Sequence, residues 1–247
     1  MLYLIGLGLD KKDLSYNAIE KIKKAKKIYL ESYTISFPYT VVELEKFLST
    51  ATKKKIKVII SDRDLMENKL NKIISEAKYE EIAILVYGDP LAATTHSAII
   101  EEAKNNKVKC ELIHAPSVFT AISNTGLQLY KFGKTTSIPK WQENFKPISF
   151  FDIILENQRI RAHTLILNDI GLKIVDSLNE LVQAAKNRGI NITEETIFIC
   201  SRLGTSGEKI TKIKISKLLR DKKLQTQLKE PFCFVYPGEM HFFELKS

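Results

Sequence analysis

The stretch LVYGDPLAATTH, residues 85–96, joins an apolar run to an acute turn and then to small and polar residues. Glycine, aspartate and proline at 88–90 favour a turn, and the two alanines that follow leave little side-chain bulk beyond it. In open α/β sheets, ligands collect outside the carboxyl ends of the strands. The stretch therefore predicts a buried strand over 82–87 that ends in a ligand-binding loop.

Outward from this stretch, apolar runs alternate with segments of helical periodicity through the first half of the chain. The runs lie at 2–7, 28–33, 57–61, 82–87 and 108–114, and the helical segments begin at Ser15 and lie near 41–50, 64–77 and 97–106. Strands that alternate with helices are typical of a parallel sheet covered on both faces. The fold class is therefore α/β, with a mostly parallel five-stranded N-terminal sheet.

The pattern changes after His114. We expect a short helix after Pro116 and Ser117, then the stretch GLQLYKFGKTTSIP at 126–139 without an assigned element. Helices follow near 149–158 and 173–188, with strands at 164–169 and 196–204 and a terminal hairpin at 231–245 around Pro237 and Gly238. This change predicts two domains: an N-terminal α/β domain at 1–112 and a C-terminal mixed α/β domain at 113–247.

The composition excludes several classes of protein. With 247 residues, of which 44% are hydrophobic, the chain is large enough to form real cores. Its three cysteines lie far apart, each in a strand-like stretch and without metal-ligand spacing, so Cys110, Cys200 and Cys233 are predicted to be buried free thiols. We expect no metal site.

Charge and hydropathy also limit the partners. No apolar run has the roughly 18 residues that a membrane span requires, and no basic region precedes the first apolar stretch, so we expect a cytoplasmic protein without membrane contact. The net charge of +9 is spread evenly over the two halves. Such a surface would attract an acidic protein, RNA or a ribosome-associated partner.

Glycines follow the first strand as they do in dinucleotide-binding proteins, but the match is incomplete. Gly6 and Gly8 are present, whereas Lys11 stands where the third glycine of that motif would lie. The pair of glycines indicates close approach of the backbone to some ligand. The chain has neither a G-x-S-x-G turn nor a complete phosphate-binding loop, so neither a hydrolase nor a kinase is supported.

Asp89 has two interpretations. An aspartate in a turn commonly binds nearby backbone amides. At the end of a central strand, its carboxylate is also suited to accept hydrogen bonds from ribose hydroxyls or to attract a cation, and the position favours this second role. His96 is more typical of a helix cap or surface group than of a base, and His114, His163 and His241 allow no firmer assignment.

Aromatic residues and lysines interleave in LYKFGKTT, residues 129–136. Such a pattern occurs on nucleic-acid platforms. Core aromatics flanked by solvated lysines are the more common cause, and this second interpretation is favoured.

Four segments together resemble one family. They are Gly6–Leu9, Gly88–His96, Ile113–Ser117 and Thr125–Lys134, in this order. Glycine, aspartate and proline followed by small residues are shared across the tetrapyrrole (class III) methyltransferase superfamily, whereas the TTH, IHAPS and GLQLYKFGK extensions resemble its diphthine synthase branch. The resemblance covers the chain from Met1 to about Phe243.

The resemblance implies a two-domain tetrapyrrole methylase-like fold with a cofactor cleft between the domains. It also implies S-adenosyl-L-methionine as methyl donor and S-adenosyl-L-homocysteine as product, with no metal. The cofactor-binding residues that it implies are Leu9, Asp89, Ala92, Ser117, Val118, Asn168, Leu203 and Phe232. Asn168 stands where the family usually has leucine, and Phe232 where it commonly has histidine. No catalytic residue is identified.

The function that the resemblance implies is methylation of the amino group of 2-(3-amino-3-carboxypropyl)histidine on translation elongation factor 2, up to three times, to give diphthine in diphthamide biosynthesis. It implies elongation factor 2 and a second copy of the chain as partners, without direct nucleic-acid contact. Two alternatives remain open. One is a methyltransferase of the same fold that acts on a tetrapyrrole or on ribosomal RNA. The other is a noncatalytic translation-associated binding protein.

Overall fold

The structure is a computed structural model that describes residues 1–94 and 96–246, without the side chain of Lys246. Thr95, in the middle of the stretch at 85–96, lies outside the described residues. The chain divides into two compact units, Met1–Phe119 and Thr120 to the C-terminus. The domain boundary near residue 112 stays a prediction, and each unit is described by itself.

The first unit is built on a five-stranded parallel sheet, as the alternating pattern predicted. Its strands are β1 (Leu2–Gly6), β2 (Lys27–Glu31), β3 (Ile59–Ser61), β4 (Ile82–Val86) and β5 (Cys110–Ile113). They lie in the order β3-β2-β4-β1-β5, and every adjacent pair is parallel. The stretch at 85–96 therefore leaves β4, the central strand of the sheet.

Helices connect these strands. They are α1 (Tyr16–Lys24), α2 (Val41–Thr52), α3 (Leu70–Ala77) and α4 (Ser97–Asn105), and one π-helical turn at Asp64–Asn68 precedes α3. The first two begin where the sequence supplies a cap. The Ser15 hydroxyl accepts a hydrogen bond from the Ala18 N–H, and Thr40 and Glu43 form a reciprocal capping box.

Both faces of the first sheet are buried, which explains its continuous apolar strands. Alternate residues of a strand point to opposite faces. On one face, Leu2 and Leu4 pack with residues of α3 and α4. On the other face, Tyr3 and Ile5 pack with residues of α1 and α2. The strand ends are therefore held rigidly, and the loops beyond them start from fixed points.

The second unit contains a mixed sheet. Its strands are β6 (Thr136–Ile138), β7 (Thr164–Asn168), β8 (Thr196–Ser201), β9 (Lys209–Lys214) and β10 (Phe232–Tyr236). They lie in the order β6-β7-β10-β8-β9, where β6 and β7 are parallel and the other pairs are antiparallel.

The remaining helices are α5 (Val118–Ala121), α6 (Ser149–Arg159), α7 (Ile174–Asn187), α8 (Ile215–Arg220) and α9 (Lys222–Gln227). One apolar cluster joins the second sheet to its helices and includes Phe151 and Ile154 of α6, Leu178 and Leu181 of α7, and Phe234 of β10. Among the described residues, no helix is both long enough and apolar enough to cross a membrane.

The predicted hairpin at 231–245 is wrong. β10 ends at Tyr236 and already pairs with β7 on one side and β8 on the other, so neither of its edges is free for a returning strand. The chain instead turns onto the segment before β7. There the Gly238 N–H donates to Nδ1 of His163 at 2.9 Å, and the Pro237 carbonyl accepts from Nε2 of Gln158 at 3.0 Å.

Candidate functional site

The loops after β1 and β4 are joined through two glycines. The Gly8 N–H donates to the Gly88 carbonyl at 3.2 Å, and the Gly88 N–H donates to the Gly8 carbonyl at 2.9 Å. Both glycines have positive φ, +72° and +68°, which side chains other than glycine rarely adopt. The acute turn in the stretch at 85–96 is thus one half of a paired backbone bridge.

The loop after β5 comes to the same place. A Cβ atom on Gly6 would lie 2.6 Å from the Gly88 carbonyl oxygen, 2.8 Å from Cβ of Ala115 and 2.9 Å from Cδ of Pro90. No side chain fits at this position. Three loops, after β1, β4 and β5, therefore converge at the carboxyl edge of the sheet. We call this region the glycine edge.

Asp89 ties two of these loops together. Its Oδ1 accepts a hydrogen bond from the Leu91 N–H at 2.9 Å. Its Oδ2 accepts from the Ala115 N–H at 3.1 Å and lies 2.7 Å from Nδ1 of His114. The side chain is 14% exposed. The structure thus shows the turn role for Asp89 and adds a link to the loop after β5, while contact with a ligand stays a prediction.

The other site residues predicted in the first unit lie around the same edge. The Leu9 carbonyl accepts from the Tyr87 hydroxyl at 3.0 Å, and the Ala92 N–H donates to the Asp89 carbonyl at 3.2 Å. Ser117 lies 3.8 Å from where a Cβ on Gly88 would stand, and Val118 begins α5. The structure therefore brings Leu9, Asp89, Ala92 and Ser117 to the glycine edge, and Val118 follows Ser117 along the chain.

His96 is not the surface group or side-chain cap that its place before α4 suggested. Only 5% of the residue is exposed to solvent, and its ring makes no hydrogen bond that caps α4. Burial lowers the pKa of this imidazole, although Glu31 and the nearby Pro90 carbonyl act in the opposite direction. Within the described part of the chain, neither ring nitrogen has a hydrogen-bond partner. The residue is a neutral core side chain.

In the second unit, Asn168, Leu203 and Phe232 gather at one end of the mixed sheet. Asn168 ends β7, and Phe232 begins the antiparallel strand β10. Phe232 pairs with Ser201 of β8, and Leu203 lies two residues after Ser201. The Asn168 Oδ1 accepts a hydrogen bond from the Ser177 hydroxyl. Its buried Nδ2 has no partner in the described ranges.

The GLQLYKFGK segment has a structural anchor that the sequence did not reveal. The buried carboxylate of Glu244 accepts hydrogen bonds from the Gln128 N–H, the Lys131 ammonium and the His241 N–H, at 2.8, 2.8 and 2.6 Å. Nε2 of His163 lies 3.1 Å from Oε1 of Glu244, the oxygen that also accepts from the Gln128 N–H. Burial alone would raise the pKa of Glu244, but these donors lower it to about 2.

The favoured interpretation of LYKFGKTT was therefore wrong in two respects. Lys131 is not solvated, since its side chain is 23% exposed and is held by Glu244. Tyr130 is not a core aromatic, since it is 81% exposed. Gly133 is required because a Cβ there would lie 2.2 Å from Oδ1 of Asn157, whose amide group binds the Lys134 N–H and carbonyl.

The sequence profile of the tetrapyrrole (corrin/porphyrin) methylases matches residues 1–219. The chain is 37% identical to diphthine synthase of Methanococcus maripaludis, over 99% of this chain and 96% of that protein. It belongs to the diphthine synthase family.

Other comparisons agree with this assignment. The family member diphthine methyl ester synthase of Schizosaccharomyces pombe is 42% identical over 70% of this chain and 59% of its own length. A crystal structure of a diphthine synthase superposes with a TM-score of 0.86 and 28% identity, and covers 99% of this chain and 93% of that one. The chain is therefore a methyltransferase with the tetrapyrrole methylase fold, as the resemblance implied.

Sequence reasoning missed two functional features of this diphthine synthase family member. It found Asp89 but not its bond to His114, and it found the two glycines after β1 but not that Gly6 makes room for the loop after β5. IHAPS was a signal for the first, since it places a histidine directly after a parallel strand. No group of three or more metal-binding side chains occurs among the residues that the structure describes.

Proposed function

We propose that this protein transfers methyl groups from S-adenosyl-L-methionine to the amino group of 2-(3-amino-3-carboxypropyl)histidine on translation elongation factor 2. The observation that supports this most directly is the glycine edge, in a chain that is 37% identical to an archaeal diphthine synthase over nearly its whole length. Convergent loops with glycines where they meet offer backbone donors and acceptors to a folded cofactor.

The residues of the first unit that would hold the cofactor are Leu9, Asp89, Ala92, Ser117 and Val118. They fit it because Gly6 and Gly8 let the loops pack closely against one another, while Gly88 and Ala92 add little or no side chain beyond the strand end, where a flat ring could approach the backbone. The family resemblance extends the same role to Asn168, Leu203 and Phe232. When bound, the cofactor supplies an electrophilic methyl group on a sulfonium, and S-adenosyl-L-homocysteine is the product.

Methyl transfer to an amine is an in-line displacement, so the protein acts mainly by positioning the reacting groups. The chain's contribution is a set of loops that are fixed to one another by backbone bonds and by Asp89. The substrate amine must lose a proton before it becomes a nucleophile, and partial desolvation of the amine would lower its pKa and assist that loss.

The number of transfers is a separate part of the proposal. Three transfers to the amine give diphthine, the product for which the archaeal relatives are named. Several eukaryotic relatives are named for a methyl ester. Since the archaeal relative covers 99% of this chain, we propose that transfer ends at the quaternary ammonium.

The protein partner follows from the same substrate. We propose that elongation factor 2 binds as an acidic macromolecule to a chain of net charge +9, without direct nucleic-acid contact, and that the protein acts in the cytoplasm as a homodimer. Attraction between unlike charges speeds association and is screened by salt. The rate on intact elongation factor should therefore fall with ionic strength.

The test is mass spectrometry of elongation factor 2 that carries the aminocarboxypropyl histidine, after incubation with this protein and S-adenosyl-L-methionine. A gain of three methyl masses, stable to mild base, is expected. A fourth mass that base removes would indicate an ester and overturn the proposed count.

The same experiment separates the alternatives. Cofactor binding without any gain on elongation factor 2 would point to a tetrapyrrole or ribosomal RNA substrate. Failure to bind the cofactor at all would favour a noncatalytic binding protein.

A further inference from the structure

We propose that His114 accepts the proton that the substrate amine must lose, and that Asp89 holds its imidazole ring in the required tautomer. This inference rests on the proposed function and adds a catalytic residue to it. It begins from the 2.7 Å contact between Nδ1 of His114 and Oδ2 of Asp89.

The contact determines which ring nitrogen can act as a base. A carboxylate offers only acceptors, so Nδ1 carries the hydrogen in this bond and the lone pair of the neutral ring lies on Nε2. Asp89 is itself fixed by the Leu91 and Ala115 N–H groups. The ring is therefore oriented by a carboxylate that cannot easily move, as in other histidine–carboxylate pairs.

The position of the ring suits a large substrate. His114 directly follows β5, and its side chain is 66% exposed, whereas that of Asp89 is 14% exposed. Nε2 has no hydrogen-bond partner among the described residues, so it is open to a group that approaches from outside. A base that serves a protein-borne amine at the glycine edge needs a fixed ring and an accessible nitrogen. In His114, the bond of Nδ1 to Asp89 fixes the ring, and Nε2 is accessible.

Other titratable groups near this edge are already engaged. His96 is buried. Asp13 Oδ2 accepts from the Leu9 and Asp10 N–H groups, and Asp10 Oδ1 accepts from the Lys12 N–H. These bonds hold the loop after β1, so both carboxylates have a structural part in it. His114 is the imidazole that the fold presents to solvent here.

One N–H proton of the substrate ammonium passes to Nε2 of His114, and the freed lone pair attacks the methyl carbon. The C–N bond forms while the C–S bond breaks, and its electron pair stays on sulfur. The imidazolium returns its proton to solvent before the next transfer. Three transfers to one amine release three protons, and the quaternary product has none left to lose.

The experiment compares wild type with His114→Asn and His114→Ala in single turnovers on the modified elongation factor, with calorimetric cofactor binding measured in parallel. Asparagine keeps a donor for Asp89 but has no basic nitrogen. We expect its rate to fall by about 100-fold or more, within the range for a lost general base, with cofactor affinity changed by less than about threefold. His241→Asn, an exposed histidine in the other unit, is the matched control and should keep the rate.

Added imidazole supplies a readout that a structural role would not affect. Imidazoles should restore turnover to His114→Ala, and more basic ones should restore it further. Transfer by His114→Asn at close to the wild-type rate would overturn the inference, and so would equal losses of cofactor binding and rate. If wild type itself transfers no methyl group, the proposed function fails and this inference falls with it.

Discussion

The ammonium group of Lys131 lies 2.8 Å from the carboxylate of Glu244, 113 residues further along the chain, and the carboxylate is fully buried. A lysine of the family segment thus meets the C-terminal end of the described chain. Glu244 follows β10 along the chain, and its pair with Lys131 holds the 3₁₀ turn Leu129–Lys131 in place.

Glu244 should make the second unit acid-sensitive. Its pKa is lowered from 4.5 to about 2, because four donors outweigh the effect of burial. A lowered carboxyl pKa stabilises the fold above the unfolded value and loses that effect as pH falls through the folded value. We expect the free energy of unfolding to drop by up to about 3 kcal/mol between pH 5 and pH 2. Urea titrations followed by Trp141 fluorescence would measure it.

Glu244→Gln should flatten this pH profile and lower stability at pH 7. Glu156→Gln is the matched control, since Glu156 forms an exposed pair with Lys134 and should leave the profile unchanged. If Glu244→Gln lost as much stability between pH 5 and pH 2 as wild type, groups other than Glu244 would be the cause of that loss.

Gly6→Ala should damage the glycine edge without touching any charge. The added methyl would meet the Gly88 carbonyl oxygen and the side chains of Ala115 and Pro90 at 2.6–2.9 Å. Overpacking of this kind costs about 1–3 kcal/mol, and it should also weaken cofactor binding because the loops must separate. Thermal unfolding and calorimetry would report the two effects. Gly207→Ala, whose added methyl makes only ordinary contacts, should change neither.

Asp89→Asn should reduce stability and cofactor binding by more than the loss of one charge would. Both carboxylate oxygens accept hydrogen bonds, so either orientation of the amide places its NH₂ against an N–H donor. We expect a loss of about 1–3 kcal/mol in stability and weaker cofactor binding, both measured as above. Asp152→Asn, on an exposed pair with Arg188, should leave binding intact. Equal binding by both variants would contradict the role given to Asp89.

His96→Leu should stabilise the first unit in mild acid. Burial lowers the pKa of His96, so the unfolded chain takes up a proton that the folded state resists, and stability is lost as pH falls below about 6.5. Leucine removes this loss and leaves no unpaired ring nitrogen. Calorimetric unfolding at pH 7 and pH 5.5 should show the variant gaining relative to wild type at the lower pH. A constant difference at both values would argue against a buried neutral imidazole.

The sequence predicted the first unit better than the second for a physical reason. Parallel strands buried on both faces are continuous apolar runs, and each is separated by a helix of clear periodicity. In the second unit, β6 has three residues and β9 alternates lysine with isoleucine and threonine, so neither stands out from a loop. The helices α8 and α9 are too short to show a period.

The site also has a part that the sequence predicts and a part that it does not. Gly8, Asp89 and the alanines after it were found because turn residues at a strand end have a local signal. Contacts between distant loops, such as that of Asp89 with His114 or of Lys131 with Glu244, carry no signal in one sequence. They depend on where the fold brings the loops, and only the structure shows them.

The lysines of β9 have a consequence for the behaviour of the protein in solution. β9 is an outer strand of the second sheet, and its far edge offers unpaired backbone groups that another chain could extend. Lys212 and Lys214 are exposed along it. Exposed lysines on an outer strand disfavour its pairing with another chain. We therefore expect Lys212, together with Lys214, which pairs with Glu194, to reduce edge-to-edge aggregation independently of any part they play in binding a substrate.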